Sequence, residues 1–202
     1  MIRRNATAKI LEMADKFPVL VFTGPRQSGK TTLSQLIFPE YRYVSLENPD
    51  NLEFAQNDPN GFLKIYDKYV IIDEAQNAPQ LFSYIQQIVD ESGVSGHYIL
   101  SGSQNYLMLE KITQSLAGRV YLMELLPLCF SEIETVKKQD AYTSIIYGGY
   151  PRIYDKHINP SDFYPSYIQT YIERDVRTML HVQDLSLFRK FIDLCAIHSG
   201  QI

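Results

Sequence analysis

The segment Pro18-Val-Leu-Val-Phe-Thr-Gly24-Pro-Arg-Gln-Ser-Gly29-Lys30-Thr31 constrains the fold of this chain more than any other stretch. Its first half, Pro18–Thr23, is an unbroken apolar run of strand length, the pattern of a strand buried on both faces in a parallel sheet. Its second half matches G-x-x-x-x-G-K-[ST] in full and precedes a stretch, Thr31–Phe38, with a helical pattern. Glycines let such a loop curl so that successive N–H groups point inward at phosphate oxygens, and the helix that follows adds the positive end of its dipole. Gly24, Pro25, Arg26, Gln27, Ser28, Gly29, Lys30, Thr31 and Thr32 are therefore the candidate phosphate-binding residues. Lys30 is expected to reach the β- and γ-phosphates, Thr31 to offer its hydroxyl to Mg²⁺, and Thr32 to contact a phosphate nearer the base.

A second segment fits the first. Val70-Ile-Ile-Asp73-Glu74 is an apolar strand that ends in two carboxylates, the form of a Walker B segment. Alone, Asp-Glu after a strand is a common surface sequence. Downstream of a phosphate loop, Asp73 reads as the residue that holds the Mg²⁺ shell, directly or through water, and Glu74 as the base that orients and deprotonates an attacking water. The adjacent Glu also separates P-loop classes. Asp73 is followed by Glu-Ala-Gln76 rather than D-x-x-G, and Lys137-Lys-Gln-Asp140 lacks the Asn or Thr of a guanine motif. A kinase of small molecules takes its nucleophile from the substrate and does not require a water-activating Glu. The residues favour ATP hydrolysis.

Other strand and helix signals alternate around these two. Helices are expected over Ala6–Lys16, Gln80–Asp90 and Tyr106–Ser115, and strands over Tyr41–Leu46, Lys68–Asp73, His97–Ser101 and Arg119–Glu124. Asn48-Pro49 and Asp58-Pro59 each read as an N-cap followed by Pro at the first helical position. Alternating units of this kind imply an α/β fold with a parallel, doubly wound sheet. After Pro127 the pattern becomes helical (Phe130–Lys138, Tyr142–Tyr147, Ser161–Leu180, Leu185–His198), so two units are expected: a P-loop ATPase core over residues 1–126 and a helical lobe over 127–202. Leu185–His198 carries an apolar face that wants a partner, and the chain is expected to be a fragment of a longer protein.

Strand His97–Ser101 runs into Gly102-Ser103-Gln104. In additional-strand ATPases this strand lies between the two phosphate-site strands, so Ser101, Ser103 and Gln104 are candidate sensors of the γ-phosphate. A Ser/Gly turn capping the next helix is the alternative. Arg119, after Gly118 at the entrance to a strand, is either a solvated charge or a group that stabilises a transferring phosphoryl.

Composition adds limits. With 45% hydrophobic and 21% charged residues, 10 Gly, 10 Pro and 2 Cys in 202 residues, long disorder and a disulfide-stapled miniprotein are excluded. Net charge is −4, unevenly spread: +4 over residues 1–46, −7 over 47–91 and −1 over 92–202. No basic stripe argues for nucleic-acid binding, whereas the early positive block leaves room for an anion site. Cys129 and Cys195 lie in apolar contexts and are expected to fill core; the four His share no metal-ligand spacing. No signal peptide or membrane span is readable, so a cytoplasmic protein is expected. The tyrosines of the later chain (Tyr142, Tyr147, Tyr150, Tyr154, Tyr164, Tyr167, Tyr171) serve either core packing or an interface.

Gly24-Pro-Arg-Gln-Ser-Gly-Lys-Thr-Thr-Leu33, Ile72-Asp-Glu-Ala-Gln76, Ser101-Gly-Ser103, Ser115-Leu-Ala-Gly-Arg119, Leu126-Pro-Leu128, Gly148-Gly-Tyr-Pro151 and Tyr171-Ile-Glu-Arg-Asp-Val176 together resemble the prokaryotic AAA-type predicted ATPases. In that family a P-loop domain is followed by a winged-helix segment and a C-terminal domain of unknown function, sometimes nuclease-like. The resemblance spans about residues 18–180. It implies an additional-strand sheet, ATP as nucleotide, Mg²⁺, and Arg119 as a finger acting on a neighbouring subunit of a homo-oligomer. Where the family's sensor turn usually begins with Thr, Ser101 stands here and keeps the hydroxyl. A DNA or protein partner is an expectation of the same kind. Two alternatives stay open at this stage: a slow, ATP-switched scaffold that signals through its helical lobe, and a small-molecule kinase using Arg174 and Arg177.

Overall fold

A computed structural model of the chain describes residues 2–103, 112, 114–172 and 185–199, the side chains of 171, 172 and 185 excepted. The expected helix Tyr106–Ser115 lies for the most part outside these residues, as do Gln104, most of the motif Tyr171–Val176, and Arg174 and Arg177. The chain opens with helix α1 (Thr7–Ala14), then strand β1 (Val19–Thr23), helix α2 (Lys30–Ile37) and strand β2 (Arg42–Ser45). Two short helices, α3 (Pro49–Asn57) and α4 (Pro59–Ile65), precede β3 (Val70–Asp73), after which come α5 (Leu81–Ser92), β4 (Tyr98–Ser101) and β5 (Val120–Glu124). Both expected caps form. The Asn48 side chain accepts the N–H groups of Asp50 and Asn51, and that of Asp58 accepts the Gly61 N–H, so donors that a helix start would leave orphaned are satisfied.

The five strands form one parallel sheet in the order β2-β3-β4-β1-β5. β4 therefore lies between β1, which feeds the phosphate loop, and β3, which ends in Asp73. Every residue of β1, β3 and β4 is buried, which is why these strands read as continuous apolar runs. Alternation divides their side chains between two cores. Val19, Val21, Val70, Ile72 and Leu100 pack with Phe62, Leu81, Phe82 and Ile85 of α4 and α5. Leu20, Phe22, Ile71 and Ile99 pack on the other face with Ile10 of α1 and Leu33 of α2. Each such side chain taken from water contributes about 1.5–3 kcal/mol, and a sheet covered by helices on both faces is the doubly wound arrangement.

Past β5 the chain is helical: α6 (Phe130–Glu134), α7 (Ala141–Tyr147), α8 (Pro151–Asp155), α9 (Pro160–Tyr167), a π-helical turn Ile168–Ile172, and α10 (Leu185–Ile197). A third core joins Leu128, Ile133, Ile153, Tyr154, Phe163 and Tyr167, with Ile2 of the N-terminal segment, Tyr147, Tyr150 and Tyr164 packed against it. Most of the later tyrosines are thus packing residues; Tyr142, on α7, is 81% exposed.

Two expectations about side chains need correcting. Cys129 and Cys195 are exposed free thiols rather than core residues. Cys129 stands at the N-cap of α6, where the backbone leaves the apolar run and turns the side chain outward to meet Asn5 and Ser131. Cys195 lies on α10, whose Leu187, Phe191, Leu194 and Ile197 are also more than half exposed.

Candidate functional site

The carboxyl ends of β1, β3 and β4 meet in one row, because the register sets Phe22 beside Ser101 and Ser101 beside Asp73. Crevices outside the carboxyl ends of parallel strands are where α/β folds bind ligands. The loop leaves β1 at this edge. Gly24 has φ +135°, and a Cβ there would stand 2.3 Å from the Leu125 carbonyl oxygen, so only glycine lets the loop pass β5. Gly29, at φ +94°, caps α2, and Gln27 also adopts a left-handed conformation, at φ 62°. The Leu33 N–H closes the first turn on the Gly29 carbonyl.

Lys30 is buried, and its ammonium donates to the carbonyls of Gly24 and Pro25 at 3.0 and 2.9 Å. Burial lowers its pKa, opposed by the charges of Glu74 and Asp73. Asp73 is buried as well. Its Oδ2 accepts from Thr31 Oγ1 at 2.9 Å and from the Tyr43 hydroxyl at 2.9 Å, while Oδ1 accepts from Ser101 Oγ at 2.5 Å. Burial, with the Asp73 charge next, pushes the Tyr43 phenol up to about 12. Glu74 leaves the strand in a left-handed conformation (φ 53°, ψ 43°), and its carboxylate accepts from Gln76 Nε2, which also donates to Ser103 Oγ at 3.3 Å.

Lys30, Thr31 and Glu74 line a cavity of about 730 Å³, with Asp73 behind them on the Thr31 hydroxyl. Its lining joins Arg26, Gln27, Gly29, Lys30, Thr31, Thr32 and Glu74 with Ile2, Arg4 and Leu128, and with Pro151, Arg152, Asp155 and Lys156 of α8 and the residue after it. The cavity therefore draws on residues of the helical lobe as well as on the expected ATPase core of residues 1–126. Arg4, which no motif marks, is central to this. Its guanidinium is buried and donates to the Ser28 carbonyl in the loop (2.8 Å), to the Leu126 carbonyl (2.6 Å) and to Glu132 on α6 (3.2 Å). Glu132 also accepts the backbone N–H of Asn5 and of Cys129. Burial works to raise the Glu132 carboxyl, but those two N–H groups and Arg4 together hold it below its ordinary value.

The candidates are not all gathered in one place. Gly24–Thr32, Asp73, Glu74 and Ser101 adjoin one another, and Ser103 joins through Gln76. Arg119 does not. It immediately precedes β5 at the opposite end of the sheet, where its backbone carbonyl meets the Val19 N–H and its guanidinium forks onto Asp90 (2.5 and 2.8 Å). Within one chain it cannot reach the Lys30 site.

The residues fit Mg²⁺ and a nucleotide triphosphate on structural grounds. Asp73 and the Thr31 hydroxyl are hard oxygen donors, and Mg²⁺ is commonly held by one or two carboxylates together with substrate phosphates. Among the described residues, the buried Ser28 Oγ and Gln27 Oε1 of the loop have no hydrogen-bond partner. The cavity carries Arg4, Arg26, Lys30, Arg152 and Lys156 against Glu74 and Asp155, an excess of positive charge suited to polyphosphate. Among the described residues no group of three or more His, Cys, Asp or Glu side chains forms a metal cluster, and no helix is long and apolar enough to cross a membrane.

A parallel sheet in this strand order, with a phosphate loop after β1 and a terminal carboxylate on β3, defines an additional-strand P-loop fold of the kind seen in ATPases. The chain belongs to the AAA domain family, which it matches over residues 16–134; residues 138–202 match a family described as a domain of unknown function. Uncharacterised proteins of Mycobacterium tuberculosis and Mycobacterium bovis are each 31% identical over 206 residues, an alignment that covers 99% of this chain and 45% of theirs. The chain thus spans under half the length of the curated relatives it matches. Among solved structures, the Walker-type ATPase of Pyrococcus abyssi (15% identity, TM-score 0.52, 96% of this chain and 75% of that one) has a similar fold. So does AMPPCP-bound DnaA of Aquifex aeolicus (17% identity, TM-score 0.52, 84% and 64%).

Proposed function

We propose that the chain is a Mg²⁺-dependent ATP-binding and ATP-hydrolysing module. The observation that carries this is that Lys30, Thr31 and Glu74, drawn from two separate segments, line one basic cavity, with Asp73 hydrogen-bonded to Thr31 beside them. The AMPPCP bound to DnaA, a protein of similar fold, is a triphosphate analogue and supports the nucleotide assignment. In this reading the loop N–H groups and Lys30 bind the phosphates. Thr31 and Asp73 would hold Mg²⁺, which would supply charge neutralisation for the transferring phosphoryl group. Glu74 accepts a proton from the water that attacks the γ-phosphorus as its bond to the bridging oxygen breaks, giving ADP and phosphate. Ser101 steadies Asp73 and Ser103 is linked to Glu74 through Gln76, and in this reading they sense the γ-phosphate through those two carboxylates. Replacing Lys30 by Ala should abolish binding of a fluorescent ATP analogue in a titration, and a variant that binds as the parent does would overturn the assignment.

Arg119 acts, in this reading, on a neighbouring copy. Its place at the far end of the sheet from its own loop supports a role in trans. Arg119→Ala is expected to lower turnover only at protein concentrations where an assembly forms, as followed by light scattering and phosphate release on one sample. Full activity of the parent as a monomer would rule out the trans finger. A slow switch is the second reading, favoured by the contacts that Arg4 makes between loop and helical lobe; steady-state turnover near zero with tight binding would select it. The expectation of a cytoplasmic protein with a DNA or protein partner belongs to the same proposal, and hydrolysis measured with and without DNA tests the partner.

A further inference from the structure

Three hydroxyl groups converge on the Asp73 carboxylate, and one of them belongs to no motif. Thr31 comes from the phosphate loop and Ser101 from the neighbouring strand β4, as the sequence signals imply. Tyr43 comes from β2, an edge strand of the sheet. Parallel register pairs Ser45 with Asp73 and Tyr43 with Ile71, so Tyr43 lies diagonally below Asp73 on the same face. The offset is about 6.6 Å along the strand, a distance the long phenol side chain spans. The residue is 41% exposed, yet its hydroxyl turns inward to Asp73 Oδ2 at 2.9 Å, the oxygen that also accepts from Thr31. Apolar burial does not explain this side chain: what it contributes at its inner end is a hydrogen bond to one carboxylate oxygen.

That arrangement has a directional consequence. Ser101 fixes Oδ1 and Tyr43 fixes Oδ2, so the plane of the carboxylate is set from two strands independently of Thr31. If Thr31 turns its hydroxyl toward a cation, as proposed above, Asp73 loses one donor and keeps two. We infer that Tyr43 is a positioning residue for the metal site: its hydroxyl holds Asp73 in the orientation that receives Mg²⁺, without itself being a ligand. The inference rests on the proposed Mg²⁺–ATP reading and adds to it a residue from the sheet edge. Partners that orient a metal ligand commonly contribute ten- to hundredfold to metal affinity.

The test is a titration of nucleotide binding against Mg²⁺, using a fluorescent ATP analogue with the parent chain and with Tyr43→Phe, which keeps the ring and removes the hydroxyl. Tyr43→Phe should raise the Mg²⁺ concentration at half-effect about tenfold, near the lower end of that range. Nucleotide affinity in EDTA should stay as in the parent. A merely structural tyrosine would lower the melting temperature and leave the Mg²⁺ midpoint in place, which would overturn the inference, as would a midpoint shifted to lower Mg²⁺. If the parent itself binds nucleotide with no dependence on Mg²⁺, the proposed metal chemistry and the role of Tyr43 fall together. If the parent shows the dependence and the variant matches it, Tyr43 alone is wrong.

Discussion

Glu74→Gln should retain nucleotide binding and lose hydrolysis by about 10²–10⁴-fold, the usual contribution of a positioned general base. Gln is isosteric and cannot accept a proton from water, so the substitution removes the base and little else. Backbone geometry should survive, because the left-handed conformation at residue 74 is set by the turn into Ala75–Asn77 rather than by the carboxylate. Binding should survive as well, since the loop and Lys30 lie on a different segment. Single-turnover hydrolysis of labelled ATP, run beside an equilibrium titration, separates the two properties. Equal turnover in variant and parent would end the role of Glu74 as base. Loss of binding together with turnover would instead show that Glu74 serves the fold of the site, through its bond with Gln76.

The second large effect concerns stability. Truncating either Arg4 or Glu132 to Ala should cost about 3–5 kcal/mol, because each leaves the other charge buried without its partner. For a chain of this size that is roughly a 6–20 °C fall in melting temperature. Arg4→Ala also strips donors from the Ser28 and Leu126 carbonyls, and so loosens the phosphate loop; nucleotide affinity should fall with stability. A paired replacement, Arg4→Met with Glu132→Leu, should recover part of the loss by removing both charges. It cannot recover all of it, since the N–H groups of Asn5 and Cys129 would still lack their acceptor.

The same cluster makes a pH signature. Glu132 is held below its ordinary value of 4.5 in the folded chain, so the folded state favours the charged carboxylate. Its stabilising contribution is fully present above the unfolded value and is lost as pH falls through the lower folded value. The stability gap between the parent and Glu132→Gln, measured by urea unfolding, should therefore be widest at neutral pH and shrink as pH drops below 4.5. A gap independent of pH would show that the carboxylate is not held in its charged form by these contacts.

Much of the fold could be read from the chain because its signals are local. Pro18–Thr23 and Val70–Asp73 are apolar throughout, as strands covered on both faces must be, and Asn48-Pro49 and Asp58-Pro59 carry cap chemistry within four residues. The two cysteines show where such reading fails. Their neighbours are apolar, but whether a side chain points inward depends on where the backbone turns, and Cys129 stands at a helix start that turns it outward.

The sequence by itself determined the phosphate loop, the carboxylate strand and the alternation that requires a parallel sheet, because loop curvature and strand burial are dictated by residue type over a few positions. Only the tertiary structure decided what surrounds them. Arg4, Tyr43 and the Pro151–Lys156 wall all lie more than ten positions from the loop in sequence, and they reach the loop or Asp73 through strand register and through the packing of the helical lobe on the N-terminal segment. Such contacts depend on how whole elements dock, a property that no short window of residues encodes.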